Sequence, residues 1–138
     1  MEKQLHLAIE ALFRNQPDIF GFTDQTHQTE WNLAHHLANE IQSLFPDLQC
    51  DVELIKPNYE NRRPDIIVHR RGSQDHNLLV VEVKLDGTDD ALQHDAEKIA
   101  QYWFQPPLRY EYGAIVDLRR DGRYSVRILR AAVSFPVK

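Results

Sequence analysis

Leu78-Leu79-Val80-Val81-Glu82-Val83-Lys84-Leu85 is an apolar run broken by charge at two alternate positions. It reads as a strand, because successive side chains on a strand point to opposite faces: Leu79, Val81, Val83 and Leu85 line one face, and Glu82 and Lys84 share the other. A carboxylate and an ammonium on a buried strand are costly to desolvate, so each needs a partner or a task. Working upstream, Pro64-Asp65 opens a second strand, Asp65 to His69, joined to the first by the turn-rich Arg71-Gly72-Ser73-Gln74-Asp75-His76-Asn77. Before it, Cys50, Val52 and Leu54 alternate with Asp51 and Glu53 as a half-buried strand, with Pro57 to Arg63 as its loop. These three strands are expected to form an antiparallel meander.

Two amphipathic helices precede the meander. Leu5, Ala8, Ile9, Leu12 and Phe13 recur at helical spacing between Lys3 and Arg14, and Pro17 ends that helix. After the polar stretch Thr23 to Gln28, a second helix from Thr29 to Phe45 carries Leu33, Ala34, Leu37, Ala38, Ile41, Leu44 and Phe45 on one stripe, with Pro46 beyond its end. Downstream, Thr88-Asp89-Asp90 supplies a cap and first-turn negative charge for a third helix with apolar positions Leu92, Ala96, Ile99, Ala100 and Trp103, stopped by Pro106-Pro107. Tyr112 to Leu118 is an interior strand that a strand-helix-strand crossover sets parallel to the Glu82 strand, and Arg120-Asp121-Gly122 turns into a last strand, Tyr124 to Leu129. The expectation is one α/β domain over residues 1–138, a mixed β-sheet flanked by helices.

Composition narrows the function classes. With 138 residues, 42% hydrophobic and 27% charged, the chain has the profile of one soluble domain, and no apolar run nears the ~20 residues needed to span a bilayer. The start, Met1-Glu2-Lys3-Gln4-Leu5-His6, lacks the basic and apolar regions of a secretory signal, and a lone Cys50 has no internal disulfide partner, so a cytoplasmic location is expected. A formal net charge of -5 argues against strong nonspecific adhesion to nucleic acid, though not against a local basic groove. No P-loop, Gly-rich dinucleotide motif or Cys-rich zinc pattern occurs.

Asp65, Glu82 and Lys84 are the residues with chemistry to offer: two carboxylates and an ammonium converging on one spot can hold a divalent metal and activate a water. The order helix, three strands, helix, strand, with Pro64-Asp65 on the second strand and Glu82-x-Lys84 on the third, resembles the PD-(D/E)xK, or restriction-endonuclease-like, nuclease superfamily. The resemblance spans roughly Thr29 to Leu118 and implies an αβββαβ core. It further implies a Mg²⁺- or Mn²⁺-dependent hydrolase of phosphodiester bonds, with DNA or a related nucleic acid as partner. Asp65 and Glu82 would be metal ligands, the Val83 carbonyl a further one, and Lys84 would position or help deprotonate the attacking water or steady the transition state.

The family also places an acid on the helix before the meander. At 100° per residue, the stripe of Leu33, Ala34, Leu37 and Ile41 is centred within about 20° of Glu30, whereas Glu40 lies roughly 80° away, which makes Glu30 the choice and Glu40 the reserve. The string Thr29-Glu30 followed by Leu33, His36, Leu37 and Ala38 is also similar to the first core helix of small stand-alone members. Family members carry a polar residue on the following helix, and Lys98 and Gln101 are the candidates here. Lys98-x-x-x-Tyr102 keeps the spacing of a Gln-x-x-x-Tyr pattern with Lys in place of Gln. His69 shares the strand face of Asp65 by the two-residue period and is a further candidate for substrate contact.

Blander readings compete at each position. Asp65 and Glu82 could pair with Arg62, Arg63, Arg70 or Lys84, and Lys98 could pair with Asp95 three residues earlier. His35 and His36 diverge by 100° on a helix and are poorly placed to chelate together. Cys50 reads as a small buried hydrophobe, because no pattern around it suggests an activating base. Arg119, Arg120, Arg123, Arg127 and Arg130 enrich the last hairpin, either as solvated edge charge or as phosphate contacts. The opposing function class is a nuclease-like module without catalysis that binds nucleic acid or a protein; at this length, specificity would come from loops, a homodimer or a protein partner.

Overall fold

The computed structural model describes residues 1–21, 28–52, 65–73 and 75–131; the side chains of 28–31 are not part of that description. The expected ends of the first strand at Glu53 and Leu54, the Pro57 to Arg63 loop, Pro64 and nearly all of the polar stretch before the second helix fall outside the described residues. Helices α1 (Glu2–Asn15) and α2 (Gln28–Leu44) precede strands β1 (Gln49–Val52), β2 (Ile66–His69) and β3 (Asn77–Leu85). Helix α3 (Asp89–Lys98) runs on into a π-helical turn, Ile99–Trp103, and strands β4 (Tyr112–Leu118) and β5 (Tyr124–Arg130) close the order.

The five strands form one sheet in sequence order, antiparallel throughout except that β3 and β4 run parallel, so the expected meander and crossover are both present. The parallel pair needs α3 as its crossover because a tight turn cannot return a chain in the same direction. Between β2 and β3 the register steps from Val68 opposite Leu79 to His69 opposite Asn77, a bulge at the hairpin end. At the last hairpin Gly122 takes φ 89, a left-handed conformation that only a residue without Cβ adopts freely.

The alternation in β3 becomes a partition of the whole molecule. Leu79, Val81 and Val83 face α1 and α2, packing with Leu5, Ile9, Leu12, Leu33, Leu37, Ile41, Ile66 and Val68. Val80 points the other way and packs with Ile67 and Ile115 against Ala96, Ile99 and Trp103 of α3 and its π turn. Each fully buried aliphatic or aromatic side chain contributes about 1.5–3 kcal/mol relative to exposure, so both faces depend on this two-residue period being kept. No helix among the described residues is long and apolar enough to cross a membrane.

Where α3 ends, the backbone of β4 comes close. A Cβ built on Gly113 would stand 2.5 Å from the Ile99 Cγ2 methyl, on a branched side chain that is itself fully buried. Overpacking of this kind costs about 1–3 kcal/mol, so Gly113→Ala is expected to lower the urea midpoint by that amount of stability; an unchanged midpoint would show that α3 does not seat tightly on β4.

Candidate active site

The α3 face of the sheet is apolar only over half of its length. At the C-terminal end of β3 the same face carries Glu82 and Lys84, and Asp65 joins them at the start of β2. Because Ile66 lies opposite Val81 and Ile67 opposite Val80, continuing that register brings Asp65 opposite Glu82. The Val83 N–H donates to Asp65 Oδ2 at 2.7 Å, anchoring the carboxylate, while the Val83 side chain is buried on the other face.

Burial raises the Asp65 carboxyl above its ordinary range, and the Val83 N–H and the nearby Lys84 ammonium pull it back. Glu82 is only 4% exposed and is pushed well above the ordinary carboxyl range, first by burial and next by the charge of Asp65. The two carboxyl groups share a hydrogen bond that favours the proton on Glu82. Glu82 Oε1 is a buried acceptor with no hydrogen-bond partner among the described residues.

Helix α3 closes the cluster from above. Thr88 Oγ1 accepts from the Ala91 N–H at 3.1 Å and caps the helix, as the sequence suggested. Its approach is fixed by Asp117 on β4, which accepts from the Gly87 N–H at 2.7 Å and from Arg119 at 2.6 Å. A Cβ at Gly87 would lie 3.1 Å from Asp117 Oδ1, so the loop passes tightly over the sheet. From α3, Asp95 reaches inward: its Oδ2 lies 3.3 Å from Lys84 Nζ and its Oδ1 lies 3.7 Å from Lys98 Nζ. Lys98 Nζ is also 3.7 Å from Glu82 Oε1. Two ammonium groups and three carboxyls thus alternate across one small region between sheet and helix.

The structure sorts the sequence candidates. Asp65, Glu82, Lys84 and Lys98 come together, and Val83 contributes its N–H to Asp65. Lys98 forms the pair with Asp95 that its blander reading expected and stands beside Glu82 as well. Gln101 is exposed on the π turn and is not gathered in.

His69 shares the Asp65 face, but four residues along a strand is about 13 Å. It is buried at the far end, with Nε2 2.7 Å from Asp51 Oδ2 on β1, an acid that Arg71 also holds. The two-residue period gave the face of His69 and not its position along the sheet. Glu30 lies in the first turn of α2, and its side chain is outside the described residues. The stripe of Leu33, Leu37 and Ile41 faces the core on the opposite side of the sheet from Glu82, so alignment with that stripe does not carry a residue to the carboxylates. Glu40 accepts from Asn15 Nδ2 of α1 at 2.9 Å, away from the site.

Asp95, missed as a site residue, had a legible signal. It stands three residues after Leu92 and four before Ile99, a position on the apolar stripe of α3, where a carboxylate is out of place. The hairpin arginines are occupied close to home: Arg119 with Asp117 and Asp86, Arg120 with Asp86, Arg123 with Asp121, Arg127 with Gln93, and Arg130 over the Tyr112 ring. Burial pushes the Cys50 thiol up to about 12, which leaves it unreactive, in keeping with its reading as a small hydrophobe.

A donor set of two hard carboxylates, one of them with an orphaned buried oxygen, suits Mg²⁺, which binds through one or two carboxylates and keeps several waters. Among the described residues no group of three His, Cys, Asp or Glu is arranged to hold a metal, so these two carboxylates are the set on hand.

A carboxyl raised in the folded state contributes stability that is fully present below its unfolded value, 4.5 for Glu82, and is lost as pH rises through the folded value. Metal-free protein is therefore expected to lose thermal stability relative to Glu82→Gln as pH rises above that range, with the gap between the two closing in acid. A gap that stays constant with pH would show that Glu82 does not carry the raised value.

No family model matches the chain, and no curated protein matches it. One solved structure, described as "Crystal structure of SSO0001", is similar over 96% of this chain and 78% of that chain, at 16% identity and a TM-score of 0.44.

Proposed function

We propose that this protein is a divalent-metal-dependent nuclease of the PD-(D/E)xK type that hydrolyses phosphodiester bonds in DNA or a related nucleic acid. The observation that carries the proposal is the meeting of Asp65 with Glu82, whose Oε1 is buried without a hydrogen-bond partner among the described residues, directly beside Lys84 and Lys98. The order α2, β1, β2, β3, α3, β4, with β3 parallel to β4, supports a restriction-endonuclease-like core.

Asp65 and Glu82 would hold Mg²⁺ or Mn²⁺, with the Val83 carbonyl as a further proposed ligand. The bound ion supplies polarisation of a phosphoryl oxygen and a more acidic water. Coordination would offset the desolvation cost of ionised Glu82, whose proton would pass to solvent, and would give its buried Oε1 a partner. Lys84, held on the same face and within electrostatic reach of Asp65, faces the charge that develops on the phosphate oxygens and stabilises it. Lys98, beside Glu82 and partly exposed, offers a second cation to the phosphate backbone. With the hairpin arginines paired to neighbouring groups, these two lysines are the cations that the site presents among the described residues.

The test is cleavage of a panel of linear duplex, single-stranded, circular and branched DNA and of RNA, with Mg²⁺ or Mn²⁺ against EDTA. Cleavage is expected with metal, to vanish with EDTA and in Asp65→Ala, and to fall about 10²–10⁴-fold in Lys84→Ala, the range for a group acting on proton transfer or charge in the transition state. Folded protein that cuts no substrate but retains metal-independent affinity for nucleic acid would sink the nuclease reading in favour of a binding module.

A further inference from the structure

Asp95 is the most deeply buried charged side chain of the cluster, at 2% exposure, and it belongs to none of the motif positions. A carboxylate on the apolar stripe of α3 is expensive: an apolar residue of similar volume there is often neutral or stabilising relative to a buried ion pair. The placement of its oxygens gives it a task. One oxygen lies against Lys84 from β3 and the other against Lys98 from its own helix. Lys84 ends a flexible four-carbon stem and is 31% exposed at its side chain, so the place of its ammonium depends on the groups around it. Asp95 supplies a helix-borne carboxylate whose Oδ2 stands 3.3 Å from that ammonium, an ion pair and not a hydrogen bond, with Asp65 still within electrostatic reach of the same ammonium.

We propose that Asp95 is a positioning residue: from α3 it holds the Lys84 ammonium in place beside the Asp65 and Glu82 carboxyls, and through Lys98 it couples the helix to Glu82. The proposal rests on the nuclease reading for its effect on turnover, but not for the placement of Lys84. Asp95 touches neither substrate nor metal in this scheme; it acts through Lys84. Helix α3 thereby becomes part of the catalytic apparatus, and its seating on β4 through Gly113 and the Asp117 clasp on Gly87 bears on activity as well as on stability.

The test is a double-mutant cycle on cleavage with Asp95→Asn, Lys84→Ala and the pair, together with amine acetylation of the metal-free proteins read by peptide mass spectrometry. Asp95→Asn is expected to lower kcat about 10–100-fold, the range for an outer partner that orients a reacting group, with KM for nucleic acid unchanged. The double variant is expected to match Lys84→Ala, because a group that acts only through Lys84 has nothing left to position. Additive losses, or an unaltered kcat in folded Asp95→Asn, overturn the proposal and leave Asp95 a structural ion.

Acetylation of Lys84 is expected to rise several-fold in Asp95→Asn while exposed Lys3 stays constant; an unchanged Lys84 rate overturns the placement. If the wild-type protein cleaves nothing, the nuclease reading fails, and the acetylation result alone decides whether Asp95 holds Lys84. Should Asp95→Asn not fold, Asp95→Glu replaces it in both arms. That variant keeps the charge, moves it by one methylene, and is expected to lower kcat at constant KM and to change the Lys84 acetylation rate. Wild-type values for either overturn the proposal.

Discussion

Charge buried between a sheet and a helix is the constraint around which this molecule is arranged. Strand β3 has one face fully apolar and one face that turns from Val80 to Glu82 and Lys84 within a few residues. Transferring an isolated carboxylate or ammonium into such a place costs far more than any single apolar contact returns, so the groups persist only by neutralising one another or by keeping a proton. Burial and the neighbouring Asp65 raise the Glu82 carboxyl, and Asp95 lies between two lysines. Such a cluster is tolerated because the rest of the domain is conventionally packed: two helices seal one face completely, and the apolar half of the other face anchors the end of α3.

The electrostatics also set what the site can respond to. A carboxyl raised by burial and by a neighbouring carboxylate is sensitive to any cation brought near it, since an added positive charge opposes the balance that raised it. Perturbed carboxyls beside cations in a partly open position are a common mark of functional sites, though ion-pair networks produce them too, and the two are told apart by chemistry and not by geometry.

The fold was legible because its signals were local and repeated. The period-two pattern of Leu78 to Leu85, the stripe from Leu33 to Ile41 and the capping Thr88 each act over a few residues, and the observed elements agree with them to within a residue or two at their ends. The bulge at Val68 and His69 and the π turn after Lys98 had no comparable signature, since both arise from how one element must accommodate another.

The sequence by itself determined that Glu82 and Lys84 share a strand face, that Asp65 opens the neighbouring strand, and that a capped helix follows. These depend on backbone periodicity, which is a property of the chain. Which residues stand together across space was decided by the tertiary structure alone. Helix α3 brings Asp95 and Lys98 onto the cluster, strand length carries His69 away to Asp51, and the packing of α2 on the opposite face separates its stripe from the carboxylates. The physical reason is that periodicity fixes the direction of a side chain but not its distance along the element or the partner its face will meet, and burial selects those only once the layers have packed.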